Sequence, residues 1–178
     1  NMDMPPIALH ASTQCHNIEA EKVKFLEDVG FSQVVLAREL SIEQIKDIRS
    51  KTTVPLEYFI HGALCVSYSG QCYLSHVIGG RSANRGACAQ PCRWNYTIRE
   101  EKRPDMPFPI EEHPDGTLIM SSKDMCMIDH IPELMNSGIN SFKIEGRMKS
   151  AYYTAVVTNA YRMAMDAYAA DPEGYVYR

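Results

Sequence analysis

Short apolar runs with strand character recur every 23 to 26 residues at the start of this chain, and that interval constrains the fold more than any other feature. They are Ile7-Ala8-Leu9-His10-Ala11, Gln33-Val34-Val35-Leu36-Ala37 and Leu56-Glu57-Tyr58-Phe59-Ile60. Helical patterns fill the gaps. Asn17 is placed to cap a helix carrying Ala20, Val23, Phe25, Leu26 and Val29, which Gly30 closes. Ser41 opens a second, with Ile42, Ile45 and Ile48 on one face. A strand, a helix and another strand in about this length is a βα unit, so the fold class is α/β with a parallel sheet.

The rhythm breaks at residues 62–116, which are rich in Gly, Cys, Pro and Arg and hold no long periodic element. A stretch this long without its own structure is usually functional when it interrupts a compact domain. The pattern resumes with a strand at Thr117-Leu118-Ile119-Met120-Ser121, then a helix from about Asp124 to Ser137 stopped by Gly138. A strand at Ser141-Phe142-Lys143-Ile144-Glu145 follows, and a long helix from Ser150 to Ala169 ends at Asp171-Pro172. That makes about five parallel strands. A closed (β/α) barrel needs eight strands and roughly 250 residues. The expectation is therefore an open α/β sheet or part of a barrel whose first strands precede Ile7.

Composition narrows the class. Apolar residues are 45% and charged residues 22% of the 178, which excludes a disordered tail, a collagen-like repeat and a coiled coil. The net charge of −4 excludes a globally basic nucleic-acid binder, though not a local basic patch. No apolar stretch approaches the roughly 18 residues of a membrane span. The start, Asn1-Met2-Asp3-Met4-Pro5-Pro6, has no basic or apolar leader pattern, so a cytoplasmic location is expected. Six cysteines in that compartment point to metal binding or catalysis before disulfides.

Polar residues follow the strands: Ser12-Thr13-Gln14, Arg38-Glu39, His61, Ser121-Ser122-Lys123-Asp124, and Glu145 with Arg147. In α/β folds the carboxyl ends of the strands form the site. Glu57 and Lys143 are charges inside apolar strands, costly there unless paired or used. Strand alternation puts Glu57, Phe59 and His61 on one face, with Glu57 and His61 about 13 Å apart at ~3.3 Å per residue. They can line one pocket but not form a direct dyad. Ser67 and Ser69 do not match Gly-x-Ser-x-Gly, and there is no His-Glu-x-x-His helix.

Cys65, Cys72, Cys88 and Cys92 form the spacing C-x6-C-x15-C-x3-C. Four thiolates hold tetrahedral zinc or an iron–sulfur cluster, while single cysteines also serve as small buried hydrophobes. Zinc ribbons show two tight C-x2-C knuckles, absent here, so the spacing favours a [4Fe–4S] cluster. Cys126 is a substitute ligand. From His76 to Arg103 lie Arg81, Arg85, Arg93, Arg99, Lys102 and Arg103 against Glu100 and Glu101, with Trp94 and Tyr96 between them. Arginines with aromatics suit RNA phosphates and unstacked bases, and equally a solvated loop with its own ion pairs.

The stretch from Glu57 through Phe59-Ile60-His61-Gly62-Ala63-Leu64-Cys65 to Ser69-Gly70-Gln71-Cys72-Tyr73-Leu74-Ser75 resembles the diagnostic motif of peptidase family U32, the collagenase-like proteases. The likeness extends through Arg81-Ser82-Ala83-Asn84-Arg85-Gly86, Cys88-Ala89-Gln90-Pro91-Cys92-Arg93-Trp94, Ser121-Ser122-Lys123-Asp124 and Phe142-Lys143-Ile144-Glu145-Gly146-Arg147-Met148-Lys149-Ser150. The resemblance implies that residues 1–178 are the C-terminal part of a TIM-barrel-like catalytic domain, with a Cys-rich insert at 62–116. Within the family the likeness is greatest to the tRNA hydroxylation protein P group, which supports oxygen-independent hydroxylation of the tRNA wobble uridine and draws on prephenate. A group acting on an rRNA cytidine and a collagenase-like peptidase activity are the alternatives. The resemblance implies Cys65, Cys72, Cys88 and Cys92 as ligands of a [4Fe–4S] cluster. The expected pocket is lined by His61, Glu57, Glu145 and Arg147, the last matching a carboxylate donor such as prephenate. Arg81, Arg85, Arg93 and Trp94 are expected to face RNA. An open barrel edge invites a homodimer, and no membrane partner is expected.

Overall fold

Three parallel strands and the helices between them set the frame, as the spacing predicts. The computed structural model describes residues 7–94, 96–109 and 124–177. Strand β1 (His10–Ala11) pairs with β2 (Gln33–Val35), and β2 with β3 (Leu56–Gly62). Helices α1 (Ala20–Asp28) and α2 (Ile42–Lys51) are the crossovers. Ser41 caps α2 as expected. Its hydroxyl accepts from the Gln44 amide, and the Gln44 side chain accepts from the Ser41 amide at 2.8 Å, a reciprocal capping box.

Asn17 does not cap α1; that role falls to the backbone of Glu19. Asn17 is fully buried and donates to the carbonyls of Ser12 (2.9 Å) and Val35 (2.8 Å), tying the end of β1 to the end of β2. A buried amide is worth more as a link between two strand ends than at an exposed helix start, where water satisfies the free amides.

Beyond β3 come α3 (Leu74–Gly79), two short 3-10 turns at Ala83–Arg85 and Pro91–Arg93, and an antiparallel hairpin of β4 (Thr97–Glu100) and β5 (Arg103–Pro109). This segment is thus more regular than its sequence predicts. The strand expected at 117–121 lies outside the described residues. Strand β6 (Met125–Cys126) pairs antiparallel with β3, against the expectation of an all-parallel sheet. The chain is here descending from the carboxyl ends of the strands towards α4 (Ile131–Met135), so its direction is reversed. The helix expected from Asp124 is shortened for the same reason: Met125 and Cys126 are in the sheet. Strand β7 (Ser141–Glu145) returns parallel to β3, and α5 (Ala151–Ala170), capped by Ser150, completes the chain.

The helices cover one face of this mixed sheet. Val23, Leu26, Ile45, Ile48, Ile131, Leu134 and Tyr161 pack there against Val34, Leu36, Leu56, Tyr58 and Ile60. Each such aliphatic side chain contributes about 1.5–3 kcal/mol by leaving water. Among the described residues the sheet is open, with the order β1, β2, β3 and both β6 and β7 paired to β3. No helix among them is long and apolar enough to cross a membrane.

Candidate functional site

The carboxyl ends of β2, β3 and β7 rise into a cavity of about 180 Å³, roofed by the segment that follows β3. Its wall includes Cys65, Cys72, Cys88 and Cys92 together. All four are free thiols; Cys72, Cys88 and Cys92 are partly buried, and Cys65 is the more exposed residue. Burial raises the Cys65 thiol above its ordinary range; Arg38 pulls it back, and the neighbouring Cys88 and Cys72 push it up again. Cys92 is likewise raised by burial, with Arg93 opposing and Cys88, Cys65 and Cys72 adding to the rise. Four sulfurs thus share one cavity wall. Among the described residues no group of three or more Cys, His, Asp or Glu side chains is placed to hold a metal ion. Cys126 is not in this wall; it is exposed and stands opposite His61 in the sheet.

Local backbone chemistry holds the cysteine loop. Gly70 has φ +80°, and its amide donates to the Gln14 side chain at 2.9 Å. A Cβ there would lie 2.1 Å from the Gln14 carbonyl oxygen, so only glycine fits. Ser69 donates its amide to one oxygen of Glu39 (3.0 Å) and its hydroxyl to the other (2.9 Å). This fork ties the loop between Cys65 and Cys72 to the end of β2. It also answers the nucleophile question for Ser69. The hydroxyl is buried and given to a carboxylate, while His16 contacts the Ser69 carbonyl rather than its oxygen nucleophile.

The cavity is cationic. Arg38, Arg93, Lys143 and Arg147 line it together with Glu145, Phe59 and Gln14. Glu145 accepts from Arg38 at 3.3 Å and from the Arg147 amide at 3.1 Å, and the Arg147 guanidinium donates to the Gly86 carbonyl. Glu145 and Arg147 therefore both stand in the cavity wall. Arg38, Phe59 and Lys143 were not among the expected pocket residues. The signal for Arg38 was its position just after β2, and for Lys143 its charge inside a strand.

Two expected pocket residues lie elsewhere. Glu57 sits low on the sheet, accepting from Lys143 (2.8 Å), Gln33 (2.7 Å) and Ser141 (3.0 Å). Burial opposes its ionisation, but these partners outweigh that and hold its pKa below the usual carboxylate value. It lies outside the cavity wall. His61 has left the row of Glu57 and Phe59, because the pairing of β3 with β7 slips between Phe59 and His61. One extra residue on β3 breaks the alternation on which the shared face depended. The imidazole packs against Tyr153 and Tyr161 of α5, with centroids at 5.9 and 5.6 Å. Burial lowers its pKa, Asp124 raises it and Lys149 lowers it further, with a net fall.

Of the residues expected to meet RNA, Arg81 and Arg85 are exposed and Trp94 is half exposed. Arg93 is turned inwards. It ion-pairs with Asp124 at 2.8 Å and donates to the Leu64 carbonyl. Asp124 also takes Lys149 at 2.9 Å. Burial would raise its carboxyl, but these two cations hold it below its ordinary value.

A family model for peptidase family U32 matches residues 1–176. Over 166 residues the chain is 49% identical to the 23S rRNA 5-hydroxycytidine C2501 synthase of Escherichia coli (strain K12), covering 93% of this chain and 24% of that protein. It is 42% identical over 172 residues to tRNA hydroxylation protein P1 of Bacillus subtilis (strain 168), covering 97% and 40%. It is 39% identical over 173 residues to a protein named collagenase of Porphyromonas gingivalis, covering 91% and 40%. The chain thus spans between a quarter and two fifths of the length of these three relatives. No solved structure matches it.

Proposed function

The chain belongs to peptidase family U32, and from that premise we propose that it is part of a protein supporting hydroxylation of an RNA base, with the cysteine cavity as its centre. The observation that carries this reading is the convergence of Cys65, Cys72, Cys88 and Cys92 on one cationic cavity. Relatives named for tRNA and rRNA hydroxylation support the chemistry. We read the sheet and its helices as part of a (β/α) barrel, with the cavity at the barrel mouth.

The four cysteines would hold a [4Fe–4S] cluster, which would supply one-electron chemistry when bound. The residues of the chain do the rest. Glu39 and Gln14 hold the cysteine loop in place. Arg147 gives the cavity positive charge, and its planar fork suits a carboxylate-bearing donor such as prephenate. Arg81, Arg85 and Trp94 offer an exposed cationic and aromatic edge for phosphate contact and base stacking. Arg93 serves the cavity wall instead.

The target base is a wobble uridine of tRNA or a cytidine of rRNA; the higher identity to the rRNA synthase favours testing both. The measurement is nucleoside mass spectrometry of tRNA and large-subunit rRNA from cells lacking the full-length protein, with and without complementation. Loss and recovery of a hydroxylated pyrimidine in one RNA identifies the substrate. Unchanged nucleosides in both, with gelatin hydrolysis that survives loss of all four cysteines, would replace this reading with a peptidase.

A further inference from the structure

Arg38 is the most deeply buried cation of the cavity. Its side chain is only 10% exposed, and its guanidinium lies 3.7 Å from the centre of the Phe59 ring. Among the described residues its one ion-pair partner is Glu145, at 3.3 Å through a single nitrogen. Its Nε–H is buried and has no hydrogen-bond partner among the described residues. A guanidinium carries five donors in a planar fork, and burying one with a donor unused is costly unless negative charge faces it. Arg38 lines the same cavity as the four cysteines and shares a second one with Cys65. Lys143 differs: it is nearly half exposed and neutralised by Glu57.

We infer that Arg38 is the buried counter-charge of the cysteine set, so that it sets the reduction potential of the cluster those thiolates hold. This inference rests on the cluster reading above. The physical basis is direct. Four thiolates and their irons become one unit more negative when they accept one electron from a reductant such as dithionite, and no bond need form or break. A fixed cation in a site of low dielectric favours the more negative state. Glu145 works against it by cancelling part of the Arg38 charge. Arg38 is thus an electrostatic residue, acting on the cluster through its charge.

The test is an anaerobic potentiometric titration of the full-length protein, reconstituted with iron and sulfide, followed by its visible spectrum and by electron paramagnetic resonance. Arg38→Gln is expected to keep iron and sulfide content while the ratio of reduced to oxidised cluster at fixed potential falls at least tenfold, a drop of at least about 59 mV for one electron. Glu145→Gln is expected to move the potential the opposite way. Arg38→Lys, which keeps the charge, is expected to stay near the wild-type value. A purely structural role for Arg38 predicts no such opposition of sign. If Arg38→Gln fails to load, Arg38→Lys must load and titrate like the wild type, or the inference falls. Equal potentials in loaded wild type, Arg38→Gln and Glu145→Gln overturn it while leaving the cluster in place. A wild-type protein that takes up no iron and sulfide removes the cluster reading itself, and this inference with it.

Discussion

The Tyr161 hydroxyl on α5 donates to the Ile60 carbonyl on β3 at 2.8 Å, across 101 residues of sequence. The same oxygen accepts from the Met127 amide at 2.9 Å, just beyond β6. One phenol therefore joins the long helix, the central strand and the returning antiparallel strand where the β3 alternation breaks. Burial drives its pKa far above the usual phenol value, so it remains a neutral donor.

Tyr161→Phe keeps the ring and deletes that link. It is expected to lower stability by about 1–3 kcal/mol, because the Met127 amide and Ile60 carbonyl lose a buried partner. Urea unfolding followed by circular dichroism measures it. An unchanged midpoint would mean that water replaces the hydroxyl.

Gly70→Ala forces a side chain into a left-handed backbone and against the Gln14 carbonyl. Backbone cannot swing aside as a side-chain tip can. A loss of about 1–3 kcal/mol is expected from the strained conformation. Thiols of Cys65 and Cys72 should also react faster with a maleimide, since the loop between them is released. A variant as stable and as slowly labelled as the wild type would count against this clamp.

Cys65→Ala is expected to abolish visible absorbance and bound iron in anaerobically prepared protein, whereas Cys15→Ala, at an exposed thiol outside the cavity wall, should retain both. Iron and sulfide assays on the two variants decide it. Full absorbance in Cys65→Ala would remove Cys65 from the ligand set.

Glu57 has a folded pKa below its ordinary value of 4.5, so its contribution to stability is fully present above that value. It is lost as pH falls through the lower folded pKa. Lys143→Met removes the chief partner. The expected result is a variant less stable at neutral pH, whose deficit shrinks as acid protonates Glu57. Stability curves of both proteins between about pH 2 and 7 test the sign.

His61 should titrate below 6.5 in an NMR experiment, because burial disfavours its cation. The unfolded chain takes up this proton first as pH falls. His61 therefore withdraws stability below about pH 6.5, and His61→Gln should remove that slope. A midpoint above 6.5 would show that Asp124 dominates instead of burial.

Much of the frame was legible because it obeys local rules. The spacing of Gln33–Val35 and Leu56–Gly62 announced a parallel sheet, and Ser41 and Ser150 announced helix starts that the structure realises. Expectations failed where one residue has two local options. Asn17 carries a capping side chain but serves two strand ends, and only the fold brings Val35 within its reach. His61 had the parity of Glu57 and Phe59, but one slipped residue turned it towards α5. Arg93 reads as surface charge until Asp124 is placed beside it.

By itself the sequence determined the βα frame, the helix boundaries at Ser41 and Ser150, and the set of residue types able to bind metal. These depend on backbone preferences and hydrophobic period, which act over a few residues. Tertiary structure decided which of those residues share a cavity. Cys65 and Cys92 are 27 positions apart, and Arg38 and Glu145 are 107 apart. No local rule specifies such distances. They follow from the parallel register of β2, β3 and β7 and from the clamp of Glu39 and Gln14 on the cysteine loop.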